Sequence, residues 1–535
     1  MELSTRYYES LNGPHRSVAR AFIRNARKHG AKLQMTDTTG KELTVARALI
    51  GALILARKLK LETVGETHIG LLLPTSVGGA LANLALPLLG KVSVNLNFTS
   101  STQALESAME QADITTVITS KKFLARFPDL PLPANVIYLE KVMESVSGLD
   151  RIRALLAAKL LPTRCLAPAL PDGGDTPATI LFSSGTTGDP KGVVLSHHNL
   201  ISNVESVAQV FRPHPGMHLC ATLPLFHSFG LTAGIFLPVI EGLSVHYHTS
   251  PRDADQVLQV LRERNCTAIF STPSFLMHYR RRGEPADFAS LEYIVAGAEK
   301  LPLPLADAYE AEFGIRPSEG YGCTEMSPVV ALSLPGVNVD GVYQAGSKNG
   351  SVGQPLPGVA ARVVNPETRE LLEPGMEGLL EVRGPNQMLG YLHHPEWTEE
   401  VIRDGWYNTG DITMMDEEGF IFIRDRLLRF SKIGGEMVPH LAIEEYIHKE
   451  LNATDRVVAV TSVRDERKGE KLVLLFTEEA GDAGSLGQLI QRSELPNLWK
   501  PHRNMLFPIE TVPLTSSGKV DLKQLKIIAR GYVGD

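Results

Sequence analysis

The chain has 535 residues, of which 43% are hydrophobic and 21% charged, and its formal net charge is −7. That length is too great for one hydrophobic core, so two or more domains are expected, and the composition is that of an ordinary globular protein. The acidic balance argues against a nucleic-acid binder, and four widely spaced cysteines (165, 220, 266 and 323) offer no zinc site and suit a reduced, cytoplasmic protein. The N-terminus lacks the apolar stretch of a signal peptide.

Leu43, Ala46, Leu49, Ile50 and Leu53 recur at helical spacing and predict a helix over 43–60, followed by an apolar strand over 69–73. Further strands are predicted at 92–96, 115–119, 136–139, 268–270 and 293–296. Their alternation with helical stretches implies mostly parallel sheets flanked by helices. Two uncharged stretches, 69–90 and 219–240, are long enough to suggest membrane spans. Pro74 with Gly78 and Gly79 interrupts the first, and Pro224 with Gly230 the second, so both read as strand, turn, then helix. Ile152, Leu155, Leu156 and Leu160 also recur at helical spacing, among Arg151, Arg153, Lys159 and Arg164. This segment reads either as a helix docked on the large domain, the preferred reading, or as a basic amphipathic helix on a membrane surface. Between about 350 and 424, short strands and glycine turns predict a smaller antiparallel or barrel-like subdomain. A basic run over 424–430 marks a hinge, and 427–535 reads as a compact α/β tail.

Residues 180–196 read Ile-Leu-Phe-Ser-Ser-Gly-Thr-Thr-Gly-Asp-Pro-Lys-Gly-Val-Val-Leu-Ser. One apolar strand empties into a loop of small hydroxyl and glycine residues, and a second follows Lys191. Gly185, Gly188 and Gly192 let backbone N–H groups approach an anion; Ser183, Ser184, Thr186 and Thr187 add hydroxyl donors, and Lys191 a cation. The composition suits a loop that grips phosphates, although an ordinary Gly/Ser/Thr loop has the same ingredients. It is not the P-loop of strand–helix NTPases, because Lys191 stands between Pro190 and Gly192.

Ser-Ser-Gly-Thr-Thr-Gly-Asp-Pro-Lys-Gly resembles the signature of the adenylate-forming enzymes, the group of acyl-CoA synthetases, luciferases and peptide-synthetase adenylation domains. Further segments match in the same order. Glu319-Gly-Tyr-Gly-Cys-Thr-Glu325 resembles the segment in which Tyr321 would stack on adenine, Thr324 bond the α-phosphate and Glu325 hold Mg²⁺. Ala296-Gly297-Ala298-Glu299 is similar to the segment framing the other side of adenine. Tyr407-Asn-Thr-Gly-Asp411 is similar to the ribose clamp, in which the two oxygens of Asp411 would accept from both ribose hydroxyls. Pro513-Leu-Thr-Ser-Ser-Gly-Lys519 resembles the catalytic-lysine loop, which makes Lys519 the residue expected to stabilise the adenylation transition state. Arg426 matches the hinge arginine that contacts ribose, and Gly434, Gly435 and Glu436 the loop that approaches the thiol donor.

The resemblance implies an α/β fold. A large N-terminal domain (1–424) would hold mostly parallel sheets flanked by helices plus the small β subdomain, and a smaller mobile C-terminal α/β domain (425–535) would close over it. Most relatives carry Gly-Arg and then a polar residue at the hinge, whereas this chain has Asp425-Arg426-Leu427-Leu428, which bears on how freely the domains reorient. ATP and Mg²⁺ are the implied cofactors and a fatty acid the implied substrate. Leu223-Pro-Leu-Phe-His227, Val295-Ala-Gly-Ala-Glu-Lys-Leu301 and Arg429-Phe-Ser-Lys-Ile-Gly-Gly-Glu-Met-Val438 resemble one branch. It is the acyl-acyl-carrier-protein synthetase half of the bifunctional 2-acylglycerophosphoethanolamine acyltransferase. Acyl carrier protein is then the expected acceptor, coenzyme A the alternative, and His227 is expected to border the acyl pocket. Arg280, Arg281 and Arg282, or the run Arg424, Arg426, Arg429 and Lys432, are candidate docking patches for the acidic carrier protein. A non-catalytic nucleotide or acyl-adenylate binder, and a membrane-surface protein, are the readings from other classes.

Overall fold

The computed structural model describes residues 2–13, 16–183, 190–426, 429–433, 436–451, 453, 455–465, 469–514 and 520–534. Two large sheets dominate it. In the first, the strands run Asn135–Tyr138, Thr116–Thr119, His68–Leu72, Val92–Asn95 and Pro177–Ser183 in parallel, and Lys191–Ser196 and Gly390–Tyr391 are added antiparallel at one edge. The second places Gln34–Asp37, Ser244–Tyr247, His218–Ala221, Ala268–Ser271, Tyr293–Ala296 and Ser318–Gly322 in parallel, between antiparallel edge strands. Each strand expected from the alternating pattern is present, because each is a short apolar run closed by a turn.

The helix expected over 43–60 is Val45–Glu62, capped by Thr44, whose side chain accepts from the Arg47 N–H. The two long uncharged stretches are indeed broken: His68–Leu72 leads into helix Val77–Leu88, and His218–Ala221 into helical turns from Ser228 to Glu241. Among the described residues, no helix is long and apolar enough to cross a membrane. Helix Val77–Leu88 buries residues on nearly all sides, as a helix enclosed by other layers must. One continuous core joins Ile69, Leu71 and Leu181 of the first sheet to Leu219, Val245 and Phe270 of the second through Phe22, Leu49, Leu84 and Val204 of the intervening helices.

Residues 360–426 form an antiparallel five-stranded sheet, with Glu377–Arg383 and Trp406–Met415 at its centre. The basic run does not all lie beyond this sheet. Ile421–Arg426 is its strand, and Arg426 is the cross-strand partner of Asp411. A further sheet, containing Val458–Asp465 and Gly469–Phe476, packs with helix His440–Glu450 around Ile443, Val458, Leu474 and Ile490. Contacts between this C-terminal part and the rest include ion pairs of Arg456 with Glu299 (3.0 Å), Lys300 with Glu445 (2.5 Å) and Arg281 with Asp455.

Helix Gly148–Leu160 shows which of its faces meets the domain, a point the sequence left open. It is docked, but through Ala154 and Ala158, while Ile152, Leu155, Leu156 and Leu160 are exposed. Periodicity marks which residues share a face and is silent on which face meets the domain. Here the small residues permit the closer approach.

Candidate active site

Strands Pro177–Ser183 and Lys191–Ser196 pair antiparallel, and Ser183 lies directly across from Lys191. Ser184, Gly185, Thr186, Thr187 and Gly188 lie outside the described residues. The Lys191 ammonium sits 5.1 Å from the centroid of the Tyr391 ring and 5.2 Å from that of Trp397, an arrangement that steadies a cation beside two π-faces. Tyr391 belongs to the short edge strand Gly390–Tyr391, which pairs with Val193 and Val194. Its hydroxyl donates to Glu325 Oε1 at 2.9 Å. Burial, and then the Glu325 charge, hold the phenol well above its usual range, so it remains a donor.

Glu325 is buried, on the one-turn helix Thr324–Met326 that follows strand Ser318–Gly322. The Thr324 hydroxyl lies 3.2 Å from that of Ser228, one residue beyond His227. Gly322 is required at this bend, because a Cβ there would stand 2.1 Å from the Pro328 carbonyl oxygen. Tyr321 donates its hydroxyl to Asp411 Oδ2. Burial first, and Asp411 next, raise that phenol well above its ordinary value. The Asp411 N–H donates to Thr409 Oγ1 at 3.1 Å and the Gly410 N–H to Asn408 Oδ1 at 2.9 Å, which fixes the turn that presents the carboxylate.

Gly297 and Ala298 follow strand Tyr293–Ala296, beside the strand bearing Tyr321. A Cβ on Gly297 would meet the Phe229 ring at 3.0 Å, and Ala298 holds a left-handed φ of 71°. The Glu299 carboxylate is turned inward, accepting from Ser274 Oγ at 2.7 Å and pairing with Arg456. His227 is half-buried, with its ring 4.7 Å from that of Phe226. Phe226 in turn packs on Phe98, which contacts Phe123 and Phe127.

Strand register or direct contact links Ser183 with Lys191, Lys191 with Glu325 through Tyr391, and Asp411 with both Tyr321 and Arg426. Gly435 and Lys519 lie outside the described residues, as do the side chains of Arg426 and Glu436. Tyr391, Trp397 and Ser228 were not anticipated. No local signal marks Tyr391, which reaches Glu325 through an edge strand nearly two hundred residues from the hairpin it extends. The arginine docking patches are altered by partners. Arg280, Arg281 and Arg282 pair with Glu312, Asp455 and Asp255, Arg424 with Glu377, and Arg429 with Glu444. A cavity of about 660 Å³ lined by Arg16, Arg24, Lys28, Glu205 and Glu241 shares no residue with this cluster.

Ser183, across from Lys191, and Tyr321, just before the helix of Glu325, lie at the C-terminal ends of parallel strands, where open α/β sheets bind ligands. The AMP-binding enzyme family model matches residues 22–392. The chain belongs to that family, within the adenylate-forming superfamily that its motifs resemble. The long-chain-fatty-acid–CoA ligase of Escherichia coli O157:H7 is 32% identical over 363 residues, 66% of this chain and 62% of that ligase; the chain thus spans about three fifths of the length of that relative. A mitochondrial medium-chain acyl-CoA ligase, ACSF2, of Danio rerio is 30% identical over 362 residues, 66% of this chain and 58% of that protein. ATP-bound MatB from Rhodopseudomonas palustris superposes with a TM-score of 0.78 at 24% identity, covering 95% of this chain and 98% of that one. The anthranilate CoA ligase AuaEII, in complex with anthranoyl-AMP, superposes at 0.80 with 20% identity, covering 97% and 98%. These two share the fold, with its large N-terminal and smaller C-terminal domains.

Proposed function

We propose that this protein activates a fatty acid with ATP as an acyl-adenylate and passes the acyl group to a thiol, with coenzyme A as the favoured acceptor. The observation that carries the reading is the contact chain from Lys191 through Tyr391 to Glu325, beside the Tyr321–Asp411 pair. It supplies a cation, a buried carboxylate and an aromatic–carboxylate clamp.

In the first step a carboxylate oxygen attacks the α-phosphorus and pyrophosphate leaves with the bonding pair. In the second the thiolate attacks the acyl carbonyl and AMP leaves. Lys191 and the loop 183–192 would bind phosphate oxygens, and Thr324 would donate to the α-phosphate. Tyr321 and the Gly297–Ala298 turn would flank adenine, with Glu299 anchoring that turn. Asp411, and Arg426 across the ladder, would hold the ribose. Mg²⁺ brought with a nucleotide needs only one or two protein carboxylates besides phosphates and water. Glu325 fits that demand, and no group of three or more metal-ligating residues occurs among the described residues. When bound, the ion would neutralise charge on the phosphates.

In this reading residues 1–424 form the adenylating domain and 425–535 the lid. Lys519 stabilises the transition state, and Gly435 and Glu436 approach the thiol donor. His227 and the Phe226–Phe98 aromatic cluster border the acyl chain. Coenzyme A is favoured over acyl carrier protein because the named relatives are CoA ligases. The arginines suited to an acidic carrier protein are also largely paired with carboxylates. Fatty-acid-dependent pyrophosphate release, measured with coenzyme A, with phosphopantetheinylated carrier protein and with neither, tests the assignment. Turnover with coenzyme A supports it, turnover only with the carrier protein reverses the acceptor, and no release with any fatty acid refutes the reading.

A further inference from the structure

Helix Gly148–Leu160 is fixed to the domain from one side. Ser147 and Asp150 form a reciprocal cap at its start. Asp150 also pairs with Lys58 Nζ at 3.1 Å, from helix Val45–Glu62. At its end Arg27 donates to the carbonyl of Ala158 at 2.8 Å and to that of Leu161 at 2.5 Å. Ala154 and Ala158 are the side chains buried against the domain. The helix is thus held in one orientation at both ends.

The opposite face is apolar and open to solvent. Leu149, Ile152, Leu156 and Leu160 are 54%, 56%, 50% and 73% exposed. At 100° per residue these four fall within an arc of about 80°, centred opposite Ala154 and Ala158. On the helical wheel Lys159 borders one side of that arc and Arg153 the other, with Arg151 farther round, and all three are exposed. The helix holds one acid, Asp150, which is committed to the cap and Lys58. A docked amphipathic helix ordinarily turns its large apolar residues inward, so this reversed arrangement leaves a second contact surface unfilled.

We infer that this face seats the protein on the surface of an anionic phospholipid bilayer, with the leucine–isoleucine stripe in the interface and Arg153 and Lys159 at the headgroups. The charge pattern chooses this occupant. A projecting apolar ridge edged by long cationic side chains, on a helix whose single acid is held by its cap and Lys58, matches a negatively charged interface into which the ridge can sink while the cations snorkel. The inference stands apart from the adenylation chemistry, because none of these residues belongs to the contact chain at the candidate site.

The test uses the full-length protein and vesicles of phosphatidylcholine and phosphatidylglycerol at about 7:3, against phosphatidylcholine alone. Flotation should recover the protein with the anionic vesicles, less with the neutral ones, and less again as salt is raised. The double variant Ile152→Glu, Leu156→Glu should lower the partition coefficient at least about tenfold, because it places charge at the centre of the stripe. Arg153→Glu with Lys159→Glu should lower it on anionic vesicles while leaving the weak neutral-vesicle binding in place. Both pairs are exposed, so thermal melting should be unchanged. Failure of the unmodified protein to bind anionic vesicles would overturn the inference, as would equal binding by the Ile152/Leu156 variant. A dimer in solution that this variant splits would likewise overturn it, by assigning the face to a second copy of the chain.

Discussion

Replacing Tyr391 by phenylalanine removes one hydroxyl and keeps the ring over which Lys191 lies. The lost contact is the 2.9 Å donation to Glu325 Oε1, made inside a site where Glu325 is 9% exposed. A hydrogen bond to a charged group is worth about 1.5–3 kcal/mol. At about 1.4 kcal/mol per factor of ten, that is about 10- to 100-fold if the bond is fully expressed in the transition state. A partner that orients a metal-binding carboxylate acts on the same scale, about 10- to 100-fold in metal affinity. Tyr391→Phe should therefore lower kcat/KM for ATP by about one order of magnitude or more, with a higher Mg²⁺ requirement. Tyr391→Leu, which also removes the ring, should fall further. Fatty-acid-dependent pyrophosphate release, titrated with Mg²⁺, reads both effects. Activity of Tyr391→Phe within about twofold of the unmodified protein at every Mg²⁺ concentration would refute the claim that Tyr391 positions Glu325.

Lys519→Ala should slow adenylate formation by about 10²- to 10³-fold with little change in ATP affinity, as for loss of a donor to developing charge; near-full pyrophosphate exchange would remove Lys519 from the mechanism. Gly322→Ala should cost about 1–3 kcal/mol of stability and most of the activity, since its Cβ meets the Pro328 carbonyl oxygen; a melting point equal to that of the unmodified protein would contradict this packing. Glu319 predicts a pH effect of definite sign. Burial pushes its carboxyl up to about 7, and the Leu301 N–H donates to it. The unfolded chain releases this proton near pH 4.5 and the folded one near 7, so stability is lost as pH rises through that window, by up to about 3 kcal/mol. Glu319→Gln should consequently melt higher than the unmodified protein at pH 8 and not at pH 4.5, and a gain of equal size at both would contradict the assignment.

The parallel strands were legible because each is a continuous apolar run between turn residues, a local property. Thr324 and Glu325 were singled out by the resemblance alone, since a Thr-Glu pair after a glycine reads by itself only as a helix start. The Tyr391–Glu325 bond was not, since it depends on an edge strand joining a sheet far away in sequence. The arginines at 280–282 looked like an open patch because their acidic partners come from three separate segments, at 255, 312 and 455. The helix over 148–160 was recognisable as amphipathic, but which side faced inward rested on the fit of two alanines and on Arg27, neither of which periodicity encodes.

Adenylate formation is tested most directly by incubating the protein with ATP, Mg²⁺ and a long-chain fatty acid without any thiol, then quantifying acyl-AMP by mass spectrometry. An acyl-adenylate should accumulate on the unmodified protein, be lost with Lys519→Ala and be discharged when coenzyme A is added. ATP bound without acyl-AMP, for every fatty acid tried, would contradict it.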